Sequence, residues 1–433
     1  MDRTKIQKYL ADFQNRKLEV LPRALHINES KKIQTVIGAR RVGKTYLLFE
    51  KIIELEASGV SRKQIIYVNF EDPLLNELKY DEIKEIIDLH WSLYPEIIKK
   101  ELFLFIDEPQ AINKWELAVR AIYDNYKCKI FITGSSSRLL SKEIATSLRG
   151  RSVTIMLLPL SFKEFLTFKA FKADIGRLGS ADIARILNYF EEYLKFGGYP
   201  EVVLEPDTNE KMRILKDYLD MVVYKDIIER YKLKNSRLIN WLIKTTISSA
   251  SKELSLNGLY NSLKSQGLKV SKNTLYSHFS ALEDSLFVFA LRKMEKSSKV
   301  EGVSVPKVYL NDIGFINLFS LENYGQRMEN IAFLHLLMQK NKNPLLDVNY
   351  WKSQDGKEVD FIVSEARKAV SAIQVCYSLS ENATKEREIN ALSAAMKYFA
   401  LKSGIILTKD EEKEIVVEKK TIKIIPLWKW LLS

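Results

Sequence analysis

Short apolar blocks alternate with longer segments of helical period through the first third of the chain. KKIQTVIGARRVGKTYLLFEKIIELEAS reads as a strand (33–37), a glycine loop and a helix with Leu47, Leu48, Ile52 and Ile53 on one face. QIIYVNFED, LFLFIDEPQ, CKIFITGSSS and RSVTIMLLPL supply four further strands. DEIKEIIDLHWSLY and WELAVRAIYDNY supply helices between them. LFLFI is apolar throughout, as expected of a parallel strand covered on both faces. This alternation, to about residue 160, predicts a doubly wound parallel sheet of α/β class over 31–160. Residues 4–24 read as a helical arm, so 1–30 is set apart.

After Pro159 the pattern changes. SFKEFL, ADIARILNYFEEYLKF and NEKMRILKDYLDMVVYKDIIERYK are all helical in period, giving a helical subdomain over 161–232. FGGYPEVV interrupts it and reads as a backbone turn. In 233–300, three short helices (SRLINWLIKTTISSAS, LNGLYNSLKSQG, SKNTLYSHFSALEDS) precede an apolar strand, LFVFALRKM. That is the order of a winged helix-turn-helix. Residues 301–433 are mixed α/β: a helix in RMENIAFLHLLMQK, strands in LDVNYWKS, KEVDFIVS and AVSAIQVCYSL, then a helix and the strand SGIILT.

Length adds that 433 residues exceed one core. Apolar residues at 46% and charged residues at 28% are a globular balance. Two cysteines, Cys128 and Cys376, and four histidines exclude a disulfide framework or a cysteine-rich zinc site. No apolar run approaches the ~20 residues of a membrane helix. The N-terminus lacks an apolar signal core. A soluble cytoplasmic protein without membrane partners is the expectation. The net charge of +12 is unevenly placed: residues 233–300 hold 11 basic against 4 acidic side chains. Such a concentration fits a polyanion, double-stranded DNA above all; a solvated lysine-rich face is the other reading.

The loop Gly38-Ala39-Arg40-Arg41-Val42-Gly43-Lys44-Thr45 matches G-x-x-x-x-G-K-[ST] between a strand and a helix. Its amides would cradle phosphates, Lys44 would neutralise the β/γ-phosphates, and Thr45 would ligate Mg²⁺. ATP and Mg²⁺ are thus the expected cofactors. Asp107 and Glu108 end the third strand, where ligands bind in parallel sheets. Asp107 is placed to hold Mg²⁺, and Glu108 to orient or deprotonate the attacking water. Ser135 or Ser136 would contact the γ-phosphate or the water, though serines there also suit a helix N-cap. Arg149 or Arg151 would reach a neighbouring subunit's nucleotide, which implies a homo-oligomer.

These features, with GARRVGKTYLL, FIDEPQ, ITGSSSRLL, SLRGR, LPLSFKEFL and FGGYP, resemble the prokaryotic AAA+ ATPases that carry a C-terminal domain of unknown function. The resemblance implies a P-loop NTPase fold, ATP hydrolysis and a C-terminal part similar to a PD-(D/E)XK nuclease. A lid arginine has no placeable counterpart. In the third helix of 233–300, Lys272, Asn273, Tyr276 and Ser277 would face a DNA groove, with Lys264, Lys269, Arg292, Lys293, Lys296 and Lys299 on phosphates. Against the nuclease pattern, Glu329 and Asp360 match, but Gln374 and Cys376 stand where a carboxylate and a lysine belong. Lys352 or Lys357 would have to supply the missing ammonium, so a degenerate domain kept for binding or assembly is the preferred reading. Two others stand beside it: an ATP-gated, Mg²⁺-dependent nuclease, and a non-hydrolysing nucleotide switch that recruits a protein.

Overall fold

The computed structural model describes residues 2–75, 77–135, 148, 150–172, 176–231, 233, 236–295, 304–319 and 323–433. The chain divides into two units, Met1–Leu157 and Leu158–Ser433. In the first, β1 (Ile33–Ile37), β2 (Ile65–Asn69), β3 (Leu102–Asp107), β4 (Cys128–Gly134) and β5 (Ser152–Met156) form an all-parallel sheet in the order β2-β3-β4-β1-β5. Every residue of β1 and β3 is buried, which explains their unbroken apolar runs. The rings of Phe105 and Phe131 stack at 4.6 Å between β3 and β4. The register pairs Ile37 with Gly134 and Asn69 with Asp107. The carboxyl ends of β1, β2, β3 and β4 therefore meet at one edge, which is the edge ligands use in such sheets.

Helix α1 (Arg3–Gln14) is shorter than the arm expected to run to residue 24. Beyond Asn15, Leu18 and Val20 follow an extended period and Pro22 lacks an amide proton, so the helix stops. Nor is α1 a free arm: Ile6, Leu10 and Phe13 are buried, and Phe13 stacks on Tyr67 at 5.0 Å. Helices α2 (Lys44–Ala57), α3 (Glu85–Leu93) and α4 (Trp115–Asn125) connect the strands.

The second unit opens with α5 (Phe162–Phe168), α6 (Ser180–Phe196), α7 (Pro200–Leu204) and α8 (Thr208–Met221), the last continuing as wide turns over Val222–Glu229. The glycine pair after α6 does more than turn the chain. Gly197 has φ of 77°, and a Cβ there would lie 1.7 Å from Asp312 Oδ1. The Gly198 amide donates to Asp312 Oδ2 at 2.7 Å, and the Gly314 amide to Oδ1 at 2.7 Å. Asp312 thus pins the loop between α6 and α7 to the chain leaving β8.

Next come α9 (Ser236–Ser248), β6 (Lys252–Glu253), α10 (Leu256–Ser265), α11 (Lys272–Asp284), β7 (Val288–Leu291) and β8 (Lys307–Leu310). β8 pairs antiparallel with both β6 and β7. A boundary at 300 would cut this sheet in two, so the sheet carries the segment to residue 310. It was missed because KVYL shows no alternation: all four residues are buried. Then follow α12 (Gly314–Asn317) and α13 (Tyr324–Lys342). β9 (Leu346–Lys352), β10 (Glu358–Glu365), β11 (Lys368–Val375), β12 (Ser403–Thr408), β13 (Lys413–Val417) and β14 (Lys420–Pro426) make a mixed sheet in the order β13-β14-β12-β11-β10-β9. Helix α14 (Asn382–Tyr398) packs Ala391, Leu392, Ala395 and Met396 against Ile362, Ala372 and Ile406; α15 (Leu427–Leu432) closes the chain. β13 was not anticipated, because its charged, half-exposed sequence follows from edge position and a tight turn at Glu418 and Lys419, both at positive φ.

Candidate nucleotide-binding and basic sites

The chain between β1 and α2 curls tightly. A Cβ on Gly38 would meet the Leu157 carbonyl oxygen at 2.4 Å, and Arg41 and Gly43 take φ of 66° and 96°. From the segment before β1, the buried Arg23 donates to the Val42 carbonyl at 2.8 Å and braces the loop from below. Lys44 turns back on the loop, donating to Ala39 O at 3.1 Å. Its ammonium also lies 3.3 Å from Glu108 Oε1.

Asp107 is the centre of a hydroxyl cluster. Thr45 donates to Oδ2 at 2.6 Å, Tyr67 to the same oxygen at 3.0 Å, and Thr133 to Oδ1. Burial pushes the Asp107 carboxyl up, against the Thr133 and Thr45 hydrogen bonds. Burial acts the same way on Glu108, but the charge of Lys44, the Gln110 amide and Arg40 outweigh it and hold Glu108 below the usual range. Thr45 and Asp107 are hard oxygen donors side by side, which fits a magnesium ion. Gln110 donates to Glu108 Oε2 and, at 3.3 Å, to the buried Ser135 hydroxyl. Lys44, Thr45, Asp107, Glu108 and Ser135 are thus brought together. Tyr67, Thr133 and Gln110 were not anticipated; the signal in the sequence was a polar side chain within β2 and β4 and another just past β3.

The arginines fall elsewhere. Arg40 lies 3.4 Å from Glu71, and Arg151 makes a forked contact with Asp124 at 3.0 and 3.3 Å. A role for Arg151 on another subunit would require leaving that carboxylate. Ser136 and Arg149 lie outside the described residues.

In the second unit, Ser271 caps α11, and Lys272, Asn273, Tyr276 and Ser277 are all exposed along it. Lys272 sits 5.8 Å from the Tyr276 ring, whose hydroxyl donates to Asn257 at 3.1 Å. The Ser277 hydroxyl is spent on Thr274 O at 2.9 Å. Lys264 and Lys269 are exposed. Arg292 donates to Ser304 O, and Lys293 pairs with Glu295. Lys296 and Lys299 lie outside the described residues.

The C-terminal acidic residues meet an ammonium from an unexpected strand. Lys307 Nζ of β8 lies 2.7 Å from Glu358, 2.8 Å from Asp360 and 3.1 Å from Glu329. Burial opposes its charge, but the carboxylates win and raise Lys307 well above its ordinary value. Glu329, which accepts from Tyr309 at 2.7 Å, is pushed up by burial and by the charge of Asp360. Lys352 reaches the rim of this cluster through Glu358 at 3.3 Å and pairs with Glu253. Lys357 pairs with Asp355 on an exposed turn, not with the cluster. Gln374 and Cys376 are spent within the fold. Gln374 accepts from the Asp360 amide and donates to Glu388 at 2.6 Å; the Cys376 thiol donates to Ser378 O, and burial lifts it to about 11.

Three families match in series: "AAA domain" over residues 30–166, "Domain of unknown function (DUF8612)" over 187–324 and "Domain of unknown function (DUF4143)" over 324–430. The second match spans β8. An uncharacterized protein of Methanocaldococcus jannaschii is 38% identical, over 96% of this chain and 93% of its own. One of Haemophilus influenzae is 28% identical, over 95% of this chain and 97% of its own. Among solved structures, Cdc6p of Pyrobaculum aerophilum aligns over 76% of this chain and 93% of its own, at 13% identity and a TM-score of 0.29. No helix among the described residues is long and apolar enough to cross a membrane.

Proposed function

This chain belongs to the family of the Methanocaldococcus jannaschii relative, with an AAA domain leading into two domains of unknown function, and from that premise we propose that it binds ATP with Mg²⁺ and hydrolyses it. The observation that carries the reading is the convergence of Thr45, Tyr67 and Thr133 on Asp107, beside the Lys44–Glu108 pair at the mouth of the loop. The loop amides and Lys44 bind the phosphates. Thr45 and Asp107 hold the magnesium ion, which offsets phosphate charge when bound. Glu108, kept ionised by its neighbours, takes one proton from the attacking water. The water oxygen bonds to the γ-phosphorus as the bridging oxygen leaves with its electron pair on ADP. Ser135 faces the same edge and contacts the γ-phosphate or the water.

The basic segment is read as a winged helix that binds double-stranded DNA. Its support is the order α9-β6-α10-α11-β7-β8 and the four exposed polar residues along α11. Nucleotide state is coupled to that binding. For the C-terminal sheet, Gln374 and Cys376, both spent on contacts inside the fold, favour a role in assembly over cleavage.

The test is phosphate release by the full chain, with and without duplex DNA, for wild type and Lys44→Ala. Turnover abolished in Lys44→Ala, and altered by DNA in wild type, is expected. Equal release from the two proteins would overturn the ATPase reading.

A further inference from the structure

Gln110 lies two residues past Glu108 in the short turn Pro109–Ala111. A carboxamide nitrogen carries two hydrogens, and both are spent: one on Glu108 Oε2, one on the Ser135 hydroxyl. The orientation is fixed by chemistry, because an ionised carboxylate only accepts, and the flipped amide would set its own oxygen against Glu108 Oε2. The Gln110 oxygen is buried and has no partner among the described residues. Glu108 itself sits at φ of 49°, a region a non-glycine residue holds only under constraint.

The two oxygens of Glu108 are therefore gripped from opposite sides. Lys44 holds Oε1, and Gln110 holds Oε2. A triphosphate competes for Lys44, because its charge exceeds that of one carboxylate. When the ammonium turns to phosphate, the Gln110 amide remains. We propose that Gln110 is a positioning residue for ATP hydrolysis: it keeps the Glu108 carboxylate tethered to Ser135 after Lys44 has moved to the nucleotide. The inference rests on the ATPase reading above. Gln110 makes no contact with the phosphate loop among the contacts described, so its work is on the proton acceptor and not on nucleotide affinity.

The experiment is steady-state ATP hydrolysis by the full chain at fixed pH for wild type, Gln110→Ala and the near-isosteric Gln110→Glu, with mant-ATP binding measured in parallel. Gln110→Ala is expected to lower kcat about 10- to 100-fold and to leave KM and mant-ATP affinity within about threefold. Gln110→Glu keeps the side chain's size but, ionised, offers no N–H to Glu108, so it is expected to lose at least as much kcat. A Gln110→Ala enzyme with the wild-type kcat overturns the proposal alone. So does a Gln110→Glu enzyme with the wild-type kcat, or a loss shared equally by kcat and mant-ATP affinity, the mark of a purely structural effect. Should Gln110→Ala fail to bind mant-ATP, the kcat of Gln110→Glu decides. A wild type that releases no more phosphate than Lys44→Ala brings down the ATPase reading and this inference with it.

Discussion

Replacing Lys307 by methionine isolates the charge at the centre of the second unit. Methionine keeps an unbranched stem of similar reach and removes the ammonium. The three carboxylates at 2.7, 2.8 and 3.1 Å then face one another with no counter-ion. Lys307 and Asp360 side chains are 4% and 7% exposed, so solvent screens little of this. Breaking a buried pair by removing one partner costs about 3–5 kcal/mol. Glu329 relieves part of that by taking a proton, since its carboxyl is already raised. A net loss of about 3 kcal/mol is the expectation, which in a unit of this size lowers the melting temperature by roughly 6–12 °C.

Calorimetry of the full chain at pH 7 and pH 5 is the assay. Glu329 is already raised by burial and by Asp360, and without the ammonium that lowers it, it titrates further above its unfolded value. The folded state then binds more protons, so its stability is retained at low pH and lost as the pH rises. The deficit of Lys307→Met should therefore shrink at pH 5. Adding Asp360→Asn should also recover part of the loss at pH 7, because one uncompensated charge goes with it. A variant melting within about 2 °C of wild type at pH 7, or a deficit that ignores pH and Asp360→Asn, would refute the electrostatic account.

Asp312 predicts a second pH dependence in the same unit. Burial lifts its carboxyl to about 7, against the Gly198 and Gly314 amides. Its folded value exceeds its unfolded value, so its contribution is full at low pH and is lost as the pH rises through about 7. Between pH 5 and 8 the wild type should lose roughly 3 kcal/mol that Asp312→Asn does not; parallel urea midpoints for the two proteins would contradict this. DNA affinity should fall steeply with salt, and Lys264→Ala with Lys269→Ala should reduce the slope of log affinity against log salt by about one each. An affinity flat from 50 to about 200 mM salt would remove the DNA reading.

What was legible in the sequence was what eight or so consecutive residues encode. The loop 38–45 needs glycines, a lysine and a hydroxyl at fixed offsets, so its chemistry is written in a row. Asp107 and Glu108 could be placed by one further rule, that ligands sit at the carboxyl ends of parallel strands. Tyr67 and Thr133 required register. They come from β2 and β4, and only the alignment of those strands with β3 brings them to Asp107. The strand β13 and the end of α1 were set by edge position and by packing, which a local window does not carry.

Lys307 was beyond reach because it lies 22 residues from Glu329 and 53 from Asp360, on a strand whose four buried residues show no alternation. Its position ties two sheets of the second unit together. β8 belongs to the three-stranded sheet of the basic segment, and Asp360 to the six-stranded C-terminal sheet. Tyr350 of β9 reinforces the seam, exchanging backbone hydrogen bonds with Arg292 and Met294 beyond β7 at 3.1 and 2.7 Å. Sliding one sheet against the other would expose three carboxylates and break this pairing, a cost of several kcal/mol with nothing on either side to replace it. Any movement of the sheet that carries β8 must therefore take the C-terminal sheet with it. This gives the C-terminal sheet a mechanical role: it stiffens the three-stranded sheet of the basic segment through Lys307.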